Sequence, residues 1–268
     1  MRRILLTVLL LPGLACQGAS SDPAATGRRV EALSAAGPRL APRASWQPRG
    51  GGPGRVRVTP RWLAGSEALL ARGEHGRGLF RLDHGGAPVE PGILPRVEVD
   101  PDLGALLLDD GERRLYHHGF RGRITAVATD GAERVLVEGG PWAVAVSPDG
   151  RRIAYSTGRL EDPMLHLYEE GRGAWTVGRG AQACWFPDGR FLVYAVPGRV
   201  VRRGSLTTFQ SSELHLYDAD QGTTKAFTAT PDLAEMEPAV SPGGDVIAFA
   251  DWHGGAVWIA PLAREGAP

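Results

Sequence analysis

The chain has 268 residues and a mass of 28.5 kDa, enough for one large domain or two small ones with a substantial core, which removes the need for a disulfide scaffold. Its 37 glycines, 21 prolines, 43% apolar residues and 30 basic against 30 acidic groups fit neither a disordered nor a collagen-like chain. Such punctuation, with no long 3.6-residue periodicity beyond the first residues, predicts many short strands joined by turns.

In chain order, Met1 to Ala15 come first: Arg2 and Arg3, the apolar run from Ile4 to Leu11, and small residues at the end. This is the pattern of a secretory signal, and the run is shorter than the roughly 20 residues that span a bilayer. Cys16, after the small Ala15, resembles the lipobox cysteine of bacterial lipoproteins. That resemblance implies acylation of Cys16 through its sulfur and a lipid anchor on an exported protein. It also implies a place on the periplasmic or cell-surface face of a membrane, with Gln17 compatible with the outer one. Gly13 stands where the family usually has Leu, and Leu14 is one place late, so ordinary cleavage near Ala15 is the alternative. With Cys16 acylated, Cys184 has no partner within the chain and is expected to be a small core residue. Cleavage removes two arginines and leaves a mildly acidic body, which speaks against nucleic acid as a partner.

Residues 16–54 are rich in Ala, Gly, Pro and Ser and carry few bulky apolar groups, so they are expected to form a flexible tether. Residues 55–268 then repeat. The clearest unit runs from Val144 through Ser147-Pro148-Asp149-Gly150 to Tyr155. It recurs from Ala183 through Pro187-Asp188-Gly189 to Tyr194, and from Pro238 through Ser241-Pro242-Gly243-Gly244 to Phe249. Fainter copies cover Trp62 to Leu70 and Val97 to Leu107, the latter turning at Pro101-Asp102. Each copy reads as strand, tight turn, strand: Pro fixes φ, Asp accepts backbone donors just ahead, and Gly takes a positive φ. A second hairpin follows every copy but the last. Four strands per unit and a period of about 43 residues match one propeller blade.

The run of an aromatic or Val, then Ser-Pro-Asp-Gly, then Ile-Ala-Tyr/Phe resembles the PD40 (WD40-like) repeat of TolB-like and dipeptidyl peptidase IV-type propellers. The resemblance implies an all-β fold: a β-propeller of four-stranded antiparallel blades, five recognisable and six possible. The last unit stops after its third strand. Arg55 to Thr59 is either the strand that completes it or the first strand of the first blade.

Within such blades the first-to-second and third-to-fourth turns share one face and are tight. The other connections share the opposite face and hold the longer chain: Asp110 to Arg123, Gly158 to Pro163, Pro197 to Ser212, and Ala229 to Glu237. Pro148 and Pro187 are 39 residues apart, whereas Pro187 and Pro242 are 55 apart, which places the largest insertion at Pro197–Ser212. That loop face is the expected docking surface for an envelope protein or small ligand. Arg199, Arg202 and Arg203 supply charge, Phe209 an anchor, and Trp252-His253 a stacking group. No Gly-x-Ser-x-Gly elbow occurs, and Asp149 and Asp188 read as turn residues rather than metal ligands, so neither catalytic residues nor a cofactor or metal are expected. The adjacent His117 and His118 would point to opposite faces of a strand, and His166 and His215 occupy matching blade positions. The main expectation is a non-catalytic binding module. The rivals are a propeller hydrolase, a lactonase or glycan-cleaving enzyme with an axial site, and a structural subunit of an envelope complex.

Overall fold

A computed structural model describes residues 44–46, 59–62, 69–72, 79–82, 88–91, 99–100, 104–119, 122–204 and 206–262. In chain order the strands are β1 (Ala44–Trp46), β2 (Thr59–Trp62), β3 (Leu69–Arg72), β4 (Leu79–Leu82), β5 (Pro88–Pro91), β6 (Val99–Asp100), β7 (Gly104–Asp109) and β8 (Arg113–His118). There follow β9 (Arg123–Ala128), β10 (Glu133–Val137), β11 (Trp142–Val146), β12 (Arg152–Arg159), β13 (Asp162–Glu169), β14 (Gly173–Arg179), β15 (Ala181–Trp185) and β16 (Phe191–Pro197). The last are β17 (Val200–Arg203), β18 (Leu206–Phe209), β19 (Ser212–Asp218), β20 (Thr223–Ala226), β21 (Glu235–Val240), β22 (Val246–Asp251) and β23 (Ala256–Pro261).

All described elements are strands, and they pair antiparallel into five main sheets with the orders β2-β3-β4-β5, β10-β9-β8-β7-β6, β11-β12-β13-β14, β15-β16-β19-β20 and β1-β23-β22-β21. First strands lie against first strands: β7 on β11, β11 on β15, β15 on β21, and β21 on β2. The sheets therefore stand radially, as blades, and the protein is a β-propeller. The last blade meets the first where the Trp62 indole N–H donates to the Ala239 carbonyl at 2.9 Å.

The predicted turn chemistry operates as expected in the third and fourth blades. Asp149 accepts the Arg151 N–H at 3.1 Å, and Asp188 those of Arg190 and Phe191 at 3.0 and 3.2 Å. Gly150 and Gly189 take φ of 72° and 68°. In the fifth blade, where Gly243 replaces the aspartate, Asp245 moves in and accepts the Ser241 hydroxyl at 2.8 Å. Val146, Tyr155, Trp185, Tyr194 and Phe249 are all buried in apolar clusters. His166 stacks on Tyr155 with ring centroids 5.2 Å apart and His215 lies 5.9 Å from Tyr194, a repeated packing role.

Three expectations change. The second blade is offset by one strand: its turn is Asp109-Asp110-Gly111, not Pro101-Asp102, and the stretch from Asp110 to Arg123 contains β8 rather than irregular chain. Two matching contacts fix this register. Arg113 donates to the Gly150 carbonyl at 2.7 Å, as Arg152 donates to that of Gly189 at 3.4 Å one blade later. The strand that completes the last blade is β1, pairing Ala44 with Ile259 and Trp46 with Val257, so this part of the expected tether is sheet and Thr59 opens the first blade. Closure by an N-terminal strand satisfies the exposed edge of β23. Cys184 is buried, and its sulfur accepts the Val240 N–H at 3.4 Å. It is disulfide-bonded, which corrects the expectation of an unbridged core cysteine, while Cys16 lies outside the described residues.

Candidate docking face

The long insertion between the second and third strands of the fourth blade is itself a hairpin. β17 and β18 pair from Val200↔Phe209 to Arg203↔Leu206, and Gly204 at the tip takes a φ of 60°. At its base the Gly198 N–H donates to the Ser211 carbonyl at 2.9 Å, and the Gln210 N–H to that of Arg199 at 2.8 Å.

The hairpin is braced on both sides. Phe209 is only 2% exposed and meets Trp252 of the fifth blade edge to face, ring centroids 5.4 Å apart. On the other side the Thr207 hydroxyl donates to Glu161 at 3.1 Å, in the two-residue turn that joins β12 to β13 in the third blade. Leu160 of that turn and Val200 of the hairpin pack on the same apolar cluster. The insertion thus spans three blades as a fixed platform.

This geometry sorts the sequence candidates. Arg199, Arg202 and Arg203 are exposed, with no ion pair among the described residues. Phe209 and Trp252 are buried against each other and cannot serve as exposed anchors; they attach the platform to the ring. His253 is half-buried, its N–H bound to Asp251 at 2.9 Å and its Nδ1 without a hydrogen-bond partner among the described residues. The Gly158–Pro163 connection is tight, not irregular, because β12 runs to Arg159 and β13 starts at Asp162.

Sequence reasoning missed a bulge in the first strands. Ala143, Gln182 and Glu237, at φ of 48°, 55° and 51°, are the non-glycine residues in left-handed backbone among those described. They occupy one equivalent position near the start of the first strands of the third, fourth and fifth blades, where the pairing register shifts. Each is a bulge that holds an L-residue in a conformation costing about 1 kcal/mol or more. Gln182 and Glu237 join neighbouring blades there, the Glu237 N–H donating to the Gln182 side chain at 3.2 Å. Nothing in a period-two pattern marks such a bulge.

The opposite face is occupied by ion pairs within the protein. A cleft of about 210 Å³ is lined by Asp149, Arg152, Glu169, Asp188, Arg190 and Asp220 among others. Arg190 holds Asp218 in a two-pronged contact at 2.6 to 3.1 Å. Burial pushes the Asp218 carboxyl up, but hydrogen bonds from Arg190, Gln221 and Asp220 outweigh it and hold it below its ordinary value. His117 and His118 both lie on β8; His117 is buried with Nε2 against the Pro141 carbonyl at 2.8 Å, and burial lowers its pKa.

No family model matches the sequence, and no curated protein matches it. Among solved structures, the chain is similar to one from a nidogen–laminin complex, at 16% identity over 78% of this chain and 77% of that one, with a TM-score of 0.43. It is similar to tricorn protease at 14% identity and a TM-score of 0.46, over 85% of this chain and 23% of that one. It is similar to TolB from Acinetobacter baumannii at 18% identity and a TM-score of 0.39, over 80% of this chain and 55% of that one.

Proposed function

We propose that this β-propeller is an exported, non-catalytic module that binds an envelope protein or a small ligand through its loop face. The observation that carries the reading is the braced hairpin with three exposed arginines at Arg199, Arg202 and Arg203, of which Arg202 also acts electrostatically on Glu161 of the neighbouring turn. Arginines at the other face, Arg113, Arg152 and Arg190, are engaged with the protein's own carboxylates. Guanidinium groups held on a rigid platform suit a partner that presents carboxylates or phosphates. The bracing lowers the ordering cost of docking.

The basic and apolar start of the chain supports export, and the place of Cys16 after the small Ala15 supports a lipid anchor. Acylation and disulfide formation compete for the same sulfur, and the chain has two cysteines. The intact mass of protein extracted from membranes decides between them: added acyl mass supports the anchor, and an unmodified, bridged chain refutes it.

Reversing all three charges (Arg199→Glu, Arg202→Glu, Arg203→Glu) tests the docking reading. Cross-linking in intact cells should recover a specific species with the wild type and lose it with the variant. An identical cross-linked species from both would refute the docking face.

A further inference from the structure

The seam between the fourth and fifth blades gathers two carboxylates, the buried Glu235 and the half-buried Glu213, around shared hydroxyl groups. Glu235, the first residue of β21, is 0% exposed. Its Oε1 accepts the Thr230 hydroxyl at 2.6 Å; its Oε2 accepts the Leu214 N–H at 3.2 Å and also meets the Thr228 hydroxyl. That hydroxyl accepts the Leu214 N–H at 2.8 Å and lies 2.8 Å from Oε2 of Glu213. The two oxygens of Glu213 share the Thr230 N–H at 2.9 and 3.0 Å.

A hydroxyl has one proton to donate. If Thr228 gives it to Glu213, the contact with Glu235 requires a proton from Glu235. If Thr228 gives it to Glu235, Glu213 must be protonated. Either way the three groups need one proton more than two carboxylates would carry. Glu235 is the fully buried member, and among the described residues no cation pairs with either acid.

The described neighbouring groups bring no cation to Glu235, whereas His215 interacts electrostatically with Glu213. Across β22, Asp251 is satisfied by the N–H groups of Ala234, His253 and Gly254 at 3.1, 2.9 and 2.9 Å. β19 brings Glu213 and His215, β15 brings the uncharged Gln182, β16 brings Tyr194, and Glu237 sits further along β21 itself; the described side chains of β2 are Pro60 and Trp62. Burial, and to a lesser degree Glu213, push the Glu235 carboxyl up to about 7 against the pull of the threonine hydroxyls.

We propose that Glu235 carries one proton toward the Thr228 hydroxyl, which gives its own to Glu213, and that the three groups act as a latch on the connection between the fourth and fifth blades, residues 228–234. With the proton, a continuous hydrogen-bonded chain ties that connection to β19 and β21. Without it, two carboxylates face one hydroxyl, and the connection loosens. The segment borders the platform, since the Ser212 N–H donates to the Leu233 carbonyl at 3.1 Å and the Trp252 N–H to that of Ala234 at 2.8 Å. Rising pH through neutrality should therefore free the loop face beside the hairpin, whatever that face binds.

Carboxyl carbon NMR and amide hydrogen exchange from pH 5 to 9 test this on the whole protein. The Glu235 carboxyl is expected to titrate near neutrality. The amides of 228–234, corrected for intrinsic rates, should exchange at least about tenfold faster on its alkaline side. Glu235→Gln, neutral at every pH, should abolish that step. A Glu235 carboxyl titrating in the ordinary carboxylate range overturns the latch, as does an undiminished step in the variant. Should Glu235→Gln fail to fold, the wild-type carboxyl titration decides alone.

Discussion

Arg113 and Arg152 open the second strands of the second and third blades and reach across to the next blade; at the equivalent position the fourth blade has Phe191 and the fifth Val246. At the first two seams the arginine catches a turn carbonyl and an acid: Gly150 and Glu170 for Arg113, Gly189 and Asp220 for Arg152. At the fourth-to-fifth seam there is instead a continuous apolar cluster holding Phe186, Phe191, Phe209, Phe249 and Trp252. Half-exposed ion pairs contribute little each, about 0–1 kcal/mol, but a charged donor on a backbone carbonyl fixes the position of the neighbouring turn. Apolar burial contributes about 25 cal/mol per Å² and scales with area. The ring is therefore indexed by polar clasps along one arc and held by hydrophobic contact along another, where the platform and the buried acids also lie.

Replacing Phe209 by Ala should break this contrast most severely, at about 3–5 kcal/mol in chemical denaturation, because it opens a cavity against Trp252 and detaches the hairpin. A loss below about 1 kcal/mol would show that the platform is not part of the core. Deprotonating Glu235 comes next. Its folded pKa of about 7 lies above that of the unfolded chain, so stability falls as pH rises through the interval between the two and stays low above 7, by about 3 kcal/mol in all. Urea midpoints at pH 5 and pH 8 read this directly.

Arg152→Ala should cost roughly 1–2 kcal/mol, less than the phenylalanine, since the carbonyl and carboxylates it releases can reach water. Arg190→Ala should cost at most about 1 kcal/mol at neutral pH and act mainly at the acid end. Asp218 is held below its ordinary value, so its contribution is present at neutral pH and is lost as pH falls through the folded pKa. A variant with an unchanged acid limb would separate the pair from acid stability. Smallest of all, the triple reversal at Arg199, Arg202 and Arg203 should shift stability by no more than about 0.5 kcal/mol, as expected for exposed sites whose one electrostatic neighbour, Glu161, is itself at the surface.

What the sequence revealed followed the range of the forces involved. Ser147-Pro148-Asp149-Gly150 was legible because every bond of that turn is made within five residues, so blade and turn could be read together. Pro101-Asp102 imitated it with the same residue types, and only the reach of Arg113 to Gly150 identified Asp109-Asp110-Gly111 as the equivalent turn. The insertion was legible as extra length, but not the fate of Phe209, whose partner Trp252 stands on another blade. Glu235 gave no signal at all, because its burial is created by the meeting of two distant units. β1 is three residues long, and its pattern acquires meaning only beside β23.

That pairing also governs the order of events in synthesis. Ala44 to Trp46 leave the ribosome early, yet their hydrogen-bonding partner is the last strand of the ring. The chain must keep this short segment available until nearly all of it has been made, so closure is a late step of long sequence separation, and such steps are slow. A polypeptide halted before Val257 would leave its first strand without a mate and its last blade with a raw edge, open to the same segment of a neighbouring molecule.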